Sequence, residues 1–302
     1  SLKNKVKIEI SNHPASKRIK VIKIKEQELD KLIFPFNKHS IQSLEYKPFS
    51  RFSLAKGVDD VFSGELSKIL NITLKDRNTG TAIIEPDIKS SKFDKDFLVK
   101  LSTALAYLVG LPNFDSMTGK YYARFHVKHS DASDSYLRKA YTNLDLHTDG
   151  TYVKEKTDWL LMTKMEEINV KGGESVLLHL DDWEHLKEFS SYEVGKQNFV
   201  WGSPKSKNIG YKVEHPVFSN DENGKIIISY IDQFPEPKNM EQGLFLQKLS
   251  DALEESKNKV AFNLPPGSSI ISNNYFWLHG RKAFKKDTNL SRELLRIRGL
   301  FC

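Results

Sequence analysis

From about residue 120 onward, the sequence is a succession of short apolar segments separated by turn residues. The separators include Gly172-Gly173, Asn223-Gly224 and Pro265-Pro266-Gly267, which favour tight turns between strands. Helical patterns interrupt only at about 181–190 and 240–257, so the regular strand–helix alternation of a doubly wound sheet is missing. The segments predicted as strands are 121–128, 158–165, 175–180, 198–202, 211–218, 225–231, 268–278 and 293–301. This pattern predicts a mainly β fold with flanking helices, either a double-stranded β-helix (jelly roll) or a barrel, of which we expect the jelly roll.

The preceding part of the chain is predicted to add helices and one strand. Residues 20–25 alternate apolar and charged side chains with a period of two, which predicts an edge strand. Apolar residues at helical spacing predict helices at 58–71 and 92–109. We therefore expect one domain, 39–302, with its jelly-roll core from about residue 120, after a basic segment, 1–38, that is packed or partly flexible.

The net charge of +7 is concentrated at the N-terminal end of the chain. Residues 1–38 hold ten basic and four acidic side chains, a net charge of +6, so the remaining 264 residues are nearly neutral. A solvated basic flank explains this distribution better than a nucleic-acid-binding arm does. Nucleic acid is therefore not expected as a partner.

Neither a membrane nor an oxidising compartment is indicated. No segment approaches the roughly 20 apolar residues of a membrane span, and no apolar signal core follows the first residues. The single cysteine, Cys302, has no second cysteine with which to form an internal disulfide. The expected location is the cytoplasm, without a membrane partner.

The first candidate for chemistry is the pair His147 and Asp149. Side chains two apart on an extended segment point to the same side, so an imidazole and a carboxylate can take adjacent positions around a metal. A second imidazole would complete the facial triad of a non-heme iron site. The same spacing recurs at His179 and Asp181, but Asp181 precedes a predicted helix and is explained as its cap. His147 is followed by Gly150 instead of a helix, so it is the preferred site.

The remote ligand is assigned to His279, which ends an apolar run and is followed by Gly280. A hydrogen-bonded core histidine would give the same local pattern. The remaining histidines have weaker contexts, because they lie on predicted helices, at charged strand ends, beside proline or in the basic flank.

A strand that carries arginines follows His279. Arg292, Arg296 and Arg298 occupy even positions and therefore share one face. Arginines that face the interior of a barrel are costly unless they meet anions, and their guanidinium forks suit carboxylates. The alternative is a solvent-exposed sheet face.

Together these motifs resemble the 2-oxoglutarate-dependent dioxygenases of the taurine dioxygenase and clavaminate synthase-like group. More narrowly, the chain resembles the glutarate 2-hydroxylase family, the carbon-starvation-induced enzymes of lysine and glutarate breakdown. The resemblance covers roughly residues 40–302 and includes long strings beside the candidate ligands. The runs that carry it are 113–119, 121–125, 133–138, 147–153, 177–186, 230–234 and 276–281.

The resemblance implies a set of roles for particular residues. Fe(II) would be held by His147, Asp149 and His279. The co-substrate 2-oxoglutarate would be bound by Ser175 and Arg292. The substrate would be bound by these candidates: Arg296, Arg298 and Arg124. The sequence does not distinguish the role of Arg296 from that of Arg298, and Arg124 is equally well explained as a surface strand residue.

The reaction implied is hydroxylation of a small dicarboxylate, glutarate, to L-2-hydroxyglutarate. O2 is consumed, and 2-oxoglutarate is converted to succinate and CO2. The resemblance also implies a homotetramer.

Three alternatives share some of these features. A related dioxygenase would use the same residues on another small carboxylate or an amino acid. A non-catalytic jelly-roll protein would hold a metal or an anion without turnover, which leaves the matches at Ser175 and Arg292 unexplained. Nucleic-acid demethylation would require basic grooves that the nearly neutral core does not offer.

Overall fold

The computed structural model describes residues 8–89, 92–115, 118–129, 140–207 and 209–302. The run 133–138 lies outside the described residues, as do positions 116 and 117 of the run 113–119. The α-helices in the described part are α1 (Glu26–Asn37), α2 (Ile41–Tyr46), α3 (Pro48–Val61), α4 (Glu65–Lys75), α5 (Lys95–Val109), α6 (Leu186–Ser191) and α7 (Met240–Glu254). Short 3₁₀ turns occur at Leu180–Asp182, Glu193–Lys196 and Lys205–Lys207.

Most of the strands lie in the second half of the chain. The strands are β1 (Glu9–His13), β2 (Ser16–Ile24), β3 (Thr81–Pro86), β4 (Gly110–Pro112), β5 (Ala123–Lys128), β6 (Leu144–His147), β7 (Trp159–Ile168), β8 (Ser175–His179), β9 (Phe199–Trp201), β10 (Val213–His215), β11 (Phe218–Asn220), β12 (Ile226–Ile228), β13 (Pro235–Glu236), β14 (Val260–Phe262), β15 (Ser269–Asn273), β16 (Trp277–Arg281) and β17 (Ser291–Phe301).

Two sheets form the body of the molecule. The larger sheet has the order β1-β2-β3-β15-β7-β17-β4, with β5 also paired to β17. The smaller sheet has the order β14-β8-β16-β6. Side chains of β7, β15 and β17 line one cavity together with side chains of β6, β8 and β16, so the two sheets face each other across it. The mainly β, jelly-roll fold with flanking helices is confirmed.

Helices α1 to α5 cover the outer face of the larger sheet. Their apolar side chains form one buried cluster with sheet residues that include Leu295 and Ile297 of β17. The alternate residues of the same strand, among them Leu294 and Arg296, line the cavity on the inner face. The period of two along β17 therefore separates a helix-packing face from a face directed at the site.

The predicted helix 58–71 is wrong as a single element. The chain forms α3 and α4 with a break between them, where Ser63 and Gly64 adopt positive φ angles of 53° and 80°. Gly64 adopts this conformation without steric cost. The break was not predicted because the apolar periodicity continues on both sides of it.

The predicted strand 268–278 is also two elements. β15 belongs to the larger sheet and β16 to the smaller one, so the chain crosses between the sheets at residues 274–276. Both strands are buried on both faces, and their sequences run together as one apolar segment.

Residues 20–25 do form a strand, but not an edge strand. β2 lies between β1 and β3, and it pairs with β3 in parallel. In the basic segment, the described residues from Glu9 to Asn37 thus contribute two strands and a helix that pack on the body of the molecule. No helix of the described ranges is long and apolar enough to cross a membrane.

Candidate metal and carboxylate site

His147 and His279 lie opposite each other on two hydrogen-bonded strands. β6 pairs with β16 so that His147 and His279 are register partners, and their ring centres are 4.2 Å apart. Asp149 follows β6 and directs Oδ1 to within 3.6 Å of His147 Nε2 and 3.1 Å of His279 Nε2. Within the described ranges, these three residues are the one group of His, Cys, Asp or Glu side chains able to hold a metal, with ligand atoms within 4.8 Å of one another.

The local backbone explains this convergence. A Cβ at Gly280 would lie 2.4 Å from the carbonyl oxygen of Leu144, so only glycine lets β6 approach β16 this closely. His147 Nδ1 lies 2.8 Å from the carbonyl oxygen of Asp145, to which a protonated Nδ1 donates. This contact leaves Nε2 as the ligand atom, the usual arrangement for a metal-binding imidazole.

Asn274, in the crossing between β15 and β16, holds the backbone of Asp149. Its Oδ1 accepts from the Asp149 amide at 3.0 Å, and its Nδ2 donates to the Asp149 carbonyl at 2.9 Å. Nδ2 also donates to the carbonyl of Thr157 at 2.9 Å. Asn274 is buried, so this side chain fixes the turn that presents the carboxylate.

The three donors fit a divalent metal. Burial acts to raise the pKa of Asp149, but the neighbouring imidazoles of His147 and His279 and the charge of Arg296 outweigh it and hold that pKa well below its usual range. The buried Oδ2 atom of Asp149 has no hydrogen bond, although Arg298 Nη1 is 3.7 Å away. Two imidazoles and an ionised carboxylate on one side, with the cavity on the other, form the facial arrangement of non-heme Fe(II) sites.

The cavity beside this triad has a volume of about 140 Å³ and lies between the two sheets. Its aliphatic and aromatic lining comes mainly from both sheets and is interrupted by five basic side chains. These are Arg281, Arg292, Arg296, Arg298 and Lys207. Cations at such a place are stable only when anions compensate them.

One group of cations contains Arg281 and Arg292. Both guanidinium carbons lie over the ring of Phe284, at 4.8 and 5.1 Å from its centre. Arg292 Nη1 donates to the carbonyl of Gly173 at 3.3 Å, and Ser175 is the register partner of Arg281 on the neighbouring strand. Burial lowers the pKa of Arg281 to about 9 and that of Arg292 to about 10.

The second group contains Arg296, Arg298 and Lys207. Arg296 lies between two carboxylates, with Nη2 3.5 Å from Asp115 Oδ2 and Nη1 3.9 Å from Asp149 Oδ2. Burial first, and then the charges of Arg296 and Arg298, lower the pKa of Lys207 to about 8.

A sequence model of the CsiD family matches residues 8–301 of this chain. The chain belongs to the CsiD family.

Relatives and solved structures agree with this membership. The glutarate 2-hydroxylase of Klebsiella pneumoniae (strain 342) is 48% identical over 261 residues, which cover 86% of this chain and 80% of the relative. The glutarate 2-hydroxylase of Salmonella typhimurium (strain LT2) is 47% identical with the same coverage.

Among solved structures, asparagine oxygenase in complex with Fe(II), 2S,3S-3-hydroxyasparagine and succinate superposes with a TM-score of 0.74 at 14% identity, and covers 93% of both chains. The non-heme iron oxygenase OrfP with Fe and alpha-ketoglutaric acid superposes with a TM-score of 0.72 at 12% identity, and covers 92% of this chain and 93% of its own. At this identity the two structures establish that the CsiD-family chain shares their fold.

The structure gathers seven of the eight predicted site residues around the cavity. They are His147, Asp149, Ser175, His279, Arg292, Arg296 and Arg298. Arg124 is not among the described lining residues. Its Nη2 donates to Glu293 Oε1 at 2.8 Å, and Glu293 occupies the face of β17 opposite the one that carries Arg292. The structure therefore corrects the assignment of Arg124 to the substrate, because its strand parity directs it away from the cavity.

His179 and Asp181 lie elsewhere. His179 Nε2 contacts the carbonyl of Arg77 at 2.6 Å, and Asp181 forms an ion pair with the guanidinium of Arg77 at 3.0 Å. The predicted helix cap is wrong in detail, because it is His179 Nδ1 that accepts from the Asp181 amide and caps the short 3₁₀ turn.

Two basic residues of the cavity lining, Arg281 and Lys207, were not predicted from the sequence as site residues. Arg281 lies two residues after His279 on β16, and this spacing of two was the available signal. Lys207 comes from a short 3₁₀ turn outside both sheets, and no local pattern distinguishes it from neighbouring lysines.

Proposed function

We propose that this protein is an Fe(II)- and 2-oxoglutarate-dependent dioxygenase that converts glutarate to L-2-hydroxyglutarate, with release of succinate and CO2. The observation that carries the proposal is the presence of two separate groups of buried or half-buried cations in the cavity that the His147–Asp149–His279 triad also lines. The names of the relatives from Klebsiella and Salmonella support the same substrate.

Charge balance favours two dicarboxylates over one. 2-Oxoglutarate and glutarate together bring four negative charges into the cavity. Five basic side chains line it, whereas its one acidic lining residue in the described part is Asp149. Arg281, Arg292 and Arg296 are buried, and the carboxylates of two five-carbon dicarboxylates would add anions beside the cations of the cavity.

The first cation group is assigned to 2-oxoglutarate. Arg292 and Ser175 would bind its distal carboxylate, with Arg281 adding a second guanidinium over the same Phe284 ring. A planar guanidinium binds a carboxylate through two parallel hydrogen bonds, which fixes orientation as well as position. The keto end of the molecule would then face the triad.

The second group is assigned to the substrate. Arg296 and Arg298 lie beside Asp149, so a carboxylate bound there would hold the adjacent carbon next to the metal. Bound Fe(II) would supply the O2 chemistry, in which oxidative decarboxylation of 2-oxoglutarate is coupled to insertion of one oxygen atom into a C–H bond. The protein contributes orientation and charge, and apolar walls such as Met162, Leu177 and Ile231 exclude water.

A substrate panel tests the proposal. The protein is reconstituted anaerobically with Fe(II) and 2-oxoglutarate, and each acid is added with air before succinate and products are measured. Glutarate should yield 2-hydroxyglutarate, with one 2-oxoglutarate consumed per product. Butanoate and pentanoate should be turned over at least about tenfold less efficiently, because each lacks the second carboxylate that the cations of the cavity would bind.

The panel also separates the alternatives. If asparagine, arginine or another acid stimulates decarboxylation and glutarate does not, the assignment of glutarate as the substrate is wrong. Only the assignment to the 2-oxoglutarate-dependent dioxygenases then remains. If no compound stimulates decarboxylation, the alternative of a protein that binds a metal or an anion without turnover is supported instead. The homotetramer stays a prediction of the family resemblance.

A further inference from the structure

Tyr152 lies three residues after Asp149 and lines the same cavity as the triad. The chain turns between the two residues at Gly150, which has a positive φ angle of 78°. A Cβ at this position would also lie 2.4 Å from Thr157 Oγ1, so backbone angle and packing both favour glycine. The turn therefore places a phenol ring in the wall of the cavity.

Packing against neighbouring residues holds this part of the chain. His215 Nε2 lies 2.7 Å from the carbonyl oxygen of Thr151, to which a protonated Nε2 donates. The His215 ring is itself stacked on the buried ring of Trp201, with the ring centres 4.8 Å apart. Phe234 meets the Tyr152 ring edge to face at 5.1 Å between the ring centres. The position of the Tyr152 ring is thus set without the use of its hydroxyl group.

The hydroxyl group of Tyr152 forms no hydrogen bond with the part of the chain that the structure describes. Burial raises the pKa of Tyr152, while the charges of Arg298 first and Arg296 second act to lower it. The phenol therefore stays protonated at neutral pH and remains a hydrogen-bond donor. The two arginines that act on it are those assigned to the substrate, so the hydroxyl belongs to that end of the cavity.

Tyrosine side chains elsewhere in the interior use their hydroxyl groups within the protein. Tyr121 Oη lies 2.7 Å from Thr103 Oγ1, and Tyr122 Oη donates to Glu45 Oε1 at 2.5 Å. Such partners are the rule for polar groups removed from solvent. An acceptor on a ligand in the cavity would give Tyr152 an equivalent partner.

We propose that Tyr152 is a substrate-binding residue whose hydroxyl group donates a hydrogen bond to the glutarate carboxylate held by Arg296 and Arg298. The inference rests on the proposed function and adds a neutral donor to the two guanidinium groups. A carboxylate offers about four lone-pair positions, so it accepts from this hydroxyl as well as from the arginines. The additional donor restricts rotation of the carboxylate and of the carbon atom beside it.

The test is Tyr152→Phe, which removes the hydroxyl group and keeps the ring against Phe234. The glutarate concentration for half-maximal succinate formation should rise about tenfold, because a hydrogen bond to a charged group is lost. The 2-oxoglutarate requirement at saturating glutarate should stay within twofold. Equilibrium dialysis of glutarate against anaerobic protein loaded with Fe(II) and 2-oxoglutarate should show the same tenfold loss of affinity.

Tyr211→Phe is the matched control. The Tyr211 hydroxyl accepts from the Lys154 amide at 3.2 Å, so this variant also removes a hydroxyl group that contacts the segment around Tyr152. Tyr211 is not among the described residues that line the cavity. Its replacement should leave both requirements and the affinity for glutarate within twofold of the wild-type values.

The proposal is overturned if Tyr152→Phe keeps the wild-type affinity for glutarate, or if its 2-oxoglutarate requirement rises in parallel with the glutarate requirement. It is equally overturned if Tyr211→Phe weakens glutarate binding as much as Tyr152→Phe does, because the effect then arises from the placement of the segment. A wild-type protein without glutarate-dependent turnover overturns the proposed function, and this inference with it. The other outcomes overturn this inference alone.

Discussion

Replacing His279 by alanine should reduce glutarate-dependent succinate formation by about 100-fold or more and weaken Fe(II) binding, while the domain stays folded. Residues that merely support a metal ligand cost 10- to 100-fold when removed, and His279 is assigned as a ligand itself. Its side chain is partly open to the cavity, and its Nε2 contacts Asp149 rather than a core group. The measurements are Fe(II) titration, succinate formation and the thermal unfolding transition.

His185→Ala is the matched control, because His185 is a half-exposed histidine whose Nδ1 contacts only the nearby Glu188 among the described hydrogen bonds. It should leave Fe(II) binding and turnover unchanged. The assignment of the metal site would be refuted if His279→Ala kept near-normal activity while His179→Ala lost Fe(II).

Replacing Arg292 by alanine should raise the 2-oxoglutarate concentration needed for half-maximal turnover at least tenfold. The side chain is buried in the cavity wall, and loss of a charge-assisted contact in a closed site costs on the order of 2–5 kcal/mol. The measurement is succinate formation as a function of 2-oxoglutarate at saturating glutarate. The glutarate requirement at saturating 2-oxoglutarate should change much less.

Arg124→Lys is the control for Arg292→Ala, since the lysine can keep the ion pair with Glu293 on the far side of the sheet. It should leave the 2-oxoglutarate requirement within twofold. If Arg292→Ala leaves that requirement unchanged and Arg296→Ala or Arg298→Ala raises it instead, the co-substrate anchor lies farther along β17.

Features with a local period could be predicted from the sequence. The alternation of β17 placed Arg292, Arg296 and Arg298 on one face, and the structure directs that face into the cavity. The prediction that His147 and Asp149 point to the same side likewise required only that the segment be extended. The choice of His279 as their partner, by contrast, rested on the apolar context and the family resemblance, because strand pairing between distant segments has no local signal.

Features that depend on tertiary placement could not be predicted. Arg124 is an exception, because β5 alternates apolar and polar residues, and this parity already indicates that Arg124 faces away from the core. Lys207 is brought to the cavity by a turn between β9 and β10 whose own sequence suggests only a charged loop. The crossing at 274–276, which supplies Asn274, lies within the segment 268–278, whose apolar sequence predicts one continuous strand.

A single-turnover reaction under ¹⁸O2 shows whether decarboxylation of 2-oxoglutarate is coupled to hydroxylation of glutarate. Protein loaded anaerobically with one equivalent each of Fe(II) and 2-oxoglutarate is mixed with glutarate and ¹⁸O2, and the products are analysed by mass spectrometry. The 2-hydroxyglutarate should carry one ¹⁸O atom in its new hydroxyl group, and one succinate should form per glutarate hydroxylated. Succinate formed without hydroxylated glutarate, or a hydroxyl group without the ¹⁸O label, would contradict this coupling.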